Sequence, residues 1–257
     1  MNELFSLRRL GLLLRTDLVS RYRLVRVTSI TIAILMIAQG TIAANFVQEG
    51  SSVSPGWLMF MLFILGPIVA SGAFKELHDK TRNEAYLLLP ASTLEKTIAR
   101  LLMITVIYVG YVFIFVFAVS FLNIVFNFVL FGRKVGFVSV HQFEWYSLLG
   151  NLLVIQSVFF LGAAWFRKTH FIKTLLTIAL IFFCLFTLGI LLLRIGFGGH
   201  FLNTHTLHIG DLIEKADFKF LGFIASLRHV VYFGALPVFC WWVAWLRVKE
   251  TQVSHGV

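Results

Sequence analysis

Three histidines, His200, His205 and His208, lie close together in the chain with Asp211 just behind them. Imidazoles and carboxylates are zinc ligands, so this segment is the first place to look for metal chemistry. The intervals between the histidines match no recognised ligand spacing, and no metal is assigned to them. Cys184 and Cys240 each sit alone inside an apolar run, so neither a disulfide framework nor a zinc ribbon is readable. His229, beside Arg228 at the head of the last apolar run, reads as a side chain reaching for the membrane interface rather than a haem ligand. Gly-x-Ser-x-Gly and His-Glu-x-x-His are both missing, and no pair of carboxylates falls inside an apolar run, which leaves an intramembrane hydrolase without a nucleophile, metal or acid–base pair. No Gly-Lys dipeptide occurs anywhere, so the chain lacks a phosphate-binding loop of its own. No catalytic residue, metal ligand or cofactor is assigned to it.

The polar residues with the most informative spacing lie in the stretch from Phe74 to Lys96, which reads polar, then apolar, then polar again. Thr81 to Glu84 has the spacing of a capping box, Leu87 to Leu89 is too apolar to stand bare in water, and Pro90 ends any helix there. Ser92 followed by Glu95 is a second capping box, opening a helix that leads into the next apolar run. Two short helices broken at a proline, with an apolar step between them, form a docking surface or a loop whose leucines dip into lipid headgroups.

The elements that position this stretch follow from composition. Of 257 residues, 59% are hydrophobic and 13% charged, against about 25% charged in a soluble domain. Phe occurs 28 times and Pro only 4, which excludes a disordered or low-complexity chain. Six apolar runs are long enough to cross roughly 30 Å of hydrocarbon: Val27–Gln48, Pro55–Phe74, Leu101–Phe131, Trp145–Phe166, Thr174–Leu193 and His229–Leu246. None alternates with period two, so each is expected to be a helix, and the fold class is an all-α polytopic membrane protein with six spans. The net charge of +10 is spread between the runs, which points to topology and not to nucleic acid. Sixteen of the 22 lysines and arginines fall in the N-terminal segment, the 75–100 link, the 167–173 link and the tail. Both termini are therefore expected in the cytoplasm, in agreement with an even number of spans.

Residues 1–26 are expected to form an amphipathic interfacial helix ahead of the 27–247 transmembrane domain, with 248–257 as a cytoplasmic tail. On a wheel of 100° per residue, Leu7, Leu10, Leu14, Leu18, Tyr22 and Val25 share one face, opposite Arg8, Arg9, Arg15, Arg23 and Arg26. Arg21 is the one misfit. Inside the spans the polar groups are few: Gln39, Asn45, Asn123, Asn127 and Gln156. Such residues face protein or water, which makes them candidates for a translocation path or for helix-to-helix contacts.

The wording Phe-x-Glu, then Arg-x-Glu, then Tyr-Leu-Leu-Leu-Pro-Ala-Ser-x-Leu-Glu-Lys before a long apolar run resembles the permease subunits of type-two ATP-binding-cassette exporters, the short bacterial kind. The motif covers about two dozen residues, and the plan of an interfacial helix plus six spans is similar as well. The resemblance implies a permease of the bacterial cytoplasmic (inner) membrane, multi-pass with both termini inside, pairing with a second copy or a paralogue. It implies a separate ATPase subunit, carrying the ATP and magnesium, that docks on the link. On that carry-over Lys75, Glu76, Arg82, Glu84, Leu89, Pro90, Glu95 and Lys96 form the ATPase-coupling interface within residues 75–100, Glu76 matching the acidic position after the second span and Leu89–Pro90 the Leu-Pro step. The glycine that many members place before this step is replaced here, with Asn83 nearest to it. The outer segment 194–228 is too apolar for a free loop, and the resemblance implies short re-entrant helices there, with Asp211, Glu214, Lys215, Asp217 and Lys219 on a wet face. The cargo expected from Phe- and Leu-rich spans is hydrophobic or amphipathic. A non-transporting membrane anchor or assembly subunit would use the same spans and link, and an intramembrane enzyme is the third reading.

Overall fold

The computed structural model of the chain describes residues 6–47, 53–78, 91–139, 144–166, 169–196 and 227–254. Arg82, Glu84, Leu89 and Pro90, together with His200, His205, His208 and most of the 194–228 segment, lie outside the described residues. Among the described residues the chain is helical, and six helices are long and apolar enough to cross a membrane: Leu7–Phe46, Gly56–Leu77, Thr93–Phe131, Trp145–Trp165, His170–Leu192 and Leu227–Thr251. This is the all-α polytopic membrane fold expected from the apolar runs.

The first helix is longer than its apolar run. It is α-helical without a break from Leu7 to Ile42, 36 residues, or about 54 Å at 1.5 Å per residue, against roughly 30 Å of hydrocarbon. The helix runs without a break past residue 26. The residues hold no breaker there, since no proline or glycine falls between Leu12 and Gln39. Residues 7–26 and the apolar run that begins at Val27 therefore form one continuous helix. Leu10, Asp17, Ile32, Met36 and Gly40 form its buried side, while Leu7, Leu18 and Tyr22 of the expected apolar face are exposed.

Proline shapes the second and sixth helices in the same way. Pro67 has no N–H to give the Phe63 carbonyl and its ring crowds that carbonyl, so the turn before it widens. Met61–Leu65 is a π-helical turn in which the Gly66 N–H closes on the Met61 carbonyl, five residues back. In the sixth helix Val231–Ala235 is π-helical, the Leu236 N–H closes on Val231, and Pro237 follows at the same spacing. The third helix has a π turn of its own, Met103–Ile107, with no proline, and it ends where Gly132 adopts a left-handed conformation, φ 64°.

Two apolar clusters fill the bundle. One joins Ile32 and Met36 of the first helix to Leu58 and Leu62 of the second, Val112 and Val116 of the third and Leu152 of the fourth. The other joins Ala73, Phe74 and Leu77 to Ile104, Phe160, Ala163, Ala244 and Val248, with the Phe74 and Phe160 rings 4.9 Å apart. The fourth helix is the hub, packing on the second, fifth and sixth. The fifth helix leans on it through one end only: Phe171 stacks on Phe159 at 5.3 Å, and a Cβ on Gly162 would run into Thr174.

Candidate coupling interface

The charged side chains gather at one end of the bundle, beside the 75–96 link. Arg100 is the centre. It is 5% exposed, its Nη1 lies 2.9 Å from Asp17 Oδ2, and its Nη2 donates to Glu76 Oε2 at 2.5 Å. Arg21, one helical turn beyond Asp17, donates from Nη2 to the Gly72 carbonyl at 3.2 Å. Four charges of balanced sign thus tie the first helix to the C-terminal end of the second and the start of the third. Removing charges from water is expensive, and a guanidinium forked between two carboxylates is the arrangement that offsets the cost.

A second joint lies one turn away. Ser92 Oγ accepts from the Glu95 N–H at 3.1 Å, and Glu95 Oε2 accepts from the Ser92 N–H at 2.9 Å, which is the capping box read from the sequence. The other carboxylate oxygen of Glu95 accepts from the N–H of Ser6, the residue that caps the first helix, at 2.6 Å, with Arg9 Nε 3.6 Å away. One fully buried carboxylate therefore caps two helix N-termini, where negative charge is favoured. Burial pushes the Glu95 carboxyl up, but the Ser92 and Ser6 N–H groups and Arg9 outweigh it and hold the carboxyl below its ordinary value.

Of the eight residues expected at the interface, Lys75 is exposed, Glu76 is half-buried and ion-paired, and Glu95 and Lys96 are buried. Glu95 and Lys96 are placed to set the geometry of the link, with Lys75 and Glu76 at its rim. Arg82, Glu84, Leu89 and Pro90 lie outside the described residues. Asp17, Arg21, Arg100, Ser6 and Arg9 were not on the sequence-based list. Arg21 carried a readable signal, since a lone arginine on an apolar face marks a charge turned toward protein, here toward the Gly72 carbonyl.

The five polar residues of the spans separate by role. Asn123 and Asn127 form a helix contact: Asn123 Nδ2 donates to the Ile37 carbonyl at 3.1 Å, and Asn127 Nδ2 reaches Thr41 Oγ1 at 3.3 Å and Asn123 Oδ1 at 3.1 Å. Gly40 makes the crossing close, since a Cβ there would sit 2.6 Å from Asn123 Nδ2. Asn45 bonds its own helix at the Thr41 carbonyl, 2.9 Å. Gln39 Oε1 and Gln156 Nε2 are buried without a partner among the described residues. Among the described residues no group of histidine, cysteine and carboxylate is arranged to hold a metal.

The fold and this joint define the class: an all-α, six-span membrane protein whose charged groups are concentrated at one end. No family model, curated protein or solved structure matches the chain.

Proposed function

We propose that the chain is the membrane-embedded permease subunit of a type-two ATP-binding-cassette exporter, seated in a bacterial cytoplasmic membrane with both termini inside and working as a dimer with a second copy or a paralogue. A separate ATPase subunit docks on the 75–100 link and drives a hydrophobic or amphipathic cargo outward. The observation that carries this reading is the Asp17–Arg100–Glu76 joint. The link leaves the second helix beside Glu76 and enters the third beside Glu95, so both of its roots are anchored to the first helix, through Arg100 and through Ser6. A push on the link moves three helices together, which is what a transporter needs from a partner that burns ATP outside the membrane. The concentration of positive charge on the same side as the link agrees with a cytoplasmic placement.

The test is the complex of this chain with its ATPase, reconstituted in nanodiscs. Glu76→Gln and Pro90→Ala should leave the permease inserted and bound while lowering cargo-stimulated ATP hydrolysis about tenfold, the effect of about 1.4 kcal/mol of lost coupling. Hydrolysis stimulated as in the unaltered complex by both variants would place the coupling surface elsewhere.

A further inference from the structure

The π turns of the second and third helices are pinned to each other by one side chain. Tyr108 closes the third-helix π turn with its own N–H, bonded to the Met103 carbonyl. Its hydroxyl donates to the Met61 carbonyl at 2.6 Å, and Met61 opens the π turn of the second helix. The residue that closes that second turn, Gly66, faces the same point: a Cβ on Gly66 would sit 3.4 Å from Gln156 Nε2 and 3.5 Å from Tyr108 Cε1. Gln156 is 1% exposed and its Nε2 has no partner among the described residues. A buried amide donor held beside a widened helical turn and left unused costs about 1–3 kcal/mol.

The chain has two ways to run through this turn. In the present register the Gly66 N–H serves Met61, and Tyr108 supplies a second donor to the same carbonyl. In the ordinary α register the Leu65 N–H would serve Met61, the Gly66 N–H would serve Leu62, and the Phe63 carbonyl would be orphaned because residue 67 is proline. An orphaned carbonyl at membrane depth must find a side-chain donor. Gln156 Nε2 is the donor at hand.

We propose that the second helix is a two-register hinge at Met61–Leu65, in which Tyr108 holds the π register and Gln156 takes the carbonyl freed by Pro67 in the α register. Removing the π turn takes one residue out of the widened stretch, turning the helix on one side of it relative to the other by roughly 100° and shifting it about 1.5 Å. The side that carries Gly72 and Glu76 is clamped by Arg21 and Arg100, so the register change and the ionic joint act on the same helix. π turns inside helices recur at functional sites, and this one has both of its donors built in. The inference rests on the fold alone and stands whether or not the permease reading does.

The experiment is backbone amide NMR of the full labelled chain in nanodiscs, read at Leu62–Gly66. Tyr108→Phe removes the donor of the π register and should shift the balance toward a second set of signals about fivefold, the worth of one net hydrogen bond. Gln156→Leu should keep the single set of the unaltered chain, and Tyr108→Phe/Gln156→Leu should lose the second set again. Pro67→Ala restores the missing N–H, so it should give the α set alone and make Tyr108→Phe silent; it also serves if Tyr108→Phe does not fold. A single unshifted set in Tyr108→Phe, or a change in Gln156→Leu equal to that of Tyr108→Phe, would overturn the hinge.

Discussion

Replacing Arg100 with Met tests the joint by leaving its two carboxylates behind. Asp17 is 7% exposed and would lose its 2.9 Å ion pair, while Glu76 would lose a 2.5 Å hydrogen bond. Breaking a buried pair by removing one partner costs about 3–5 kcal/mol because a charge is left uncompensated. The side chain of Glu76 is 28% exposed, so water screens part of its share, and the lower end, about 3 kcal/mol, is the expected loss. The loss should fall on the contact between the first helix and the rest, so limited trypsin digestion in nanodiscs should cut at Arg8, Arg9 and Arg15 much faster than in the unaltered chain. The thermal unfolding midpoint, followed by tryptophan fluorescence, should drop with it. Asp17→Asn, Glu76→Gln and Arg100→Met combined remove the two carboxylates stranded without Arg100, leaving Arg21 on the Gly72 carbonyl, and should recover part of the loss, because a buried ion pair and a neutral replacement are often close in energy. An Arg100→Met chain that melts and resists trypsin like the original, or a triple variant no better than the single one, would refute the account of the joint.

Gly40→Ala should push the Asn123 amide out of its bonds to Ile37 and Asn127, costing about 1–3 kcal/mol by overpacking, whereas Gly110→Ala, which has open space around it, should leave the melting midpoint unchanged or higher. Glu95→Ala removes the cap of two helices and should cost about 2 kcal/mol, about 1 for each N-terminus. The same carboxylate sets a pH dependence. Its folded value is held below its unfolded one, so its contribution is fully present above the ordinary glutamate range and is lost as pH falls through the folded value. Protection of the first-turn amides of the first helix, taken relative to the intrinsic exchange rate at each pH, should fall as the pH drops below that range, and Glu95→Gln should flatten the fall.

The spans were legible because lipid allows few solutions: a run of about 20 apolar residues without period-two alternation is a helix. The start of the third helix was legible for a local reason, since Ser92 and Glu95 carry their cap in four residues. What escaped was long-range. That Glu95 also caps the first helix depends on Ser6, 89 residues away, and nothing near either residue announces it. Arg100 was counted only as a topological charge because its partners, Asp17 and Glu76, lie on two other helices. Amphipathic periodicity in residues 7–26 reports which face is apolar, not whether the helix continues into the span, as it does here without a break. The π turns had a local signal in Pro67 and Pro237, each two residues past the widened turn, while the π turn at Met103–Ile107 has none that we identify. Asn123 and Asn127 were visible as polar residues in a span, but Gly40 opposite them decided that they bind a helix.

The permease reading makes its sharpest demand at Lys75, the exposed rim of the link. A photo-crosslinking amino acid placed at position 75, with one at the exposed Leu130 as control, would be activated in native membranes and the adducts identified by mass spectrometry. The account predicts an ATP-binding subunit joined at position 75 and absent at 130. A chain that is inserted and folded yet yields no ATPase at position 75 would contradict it.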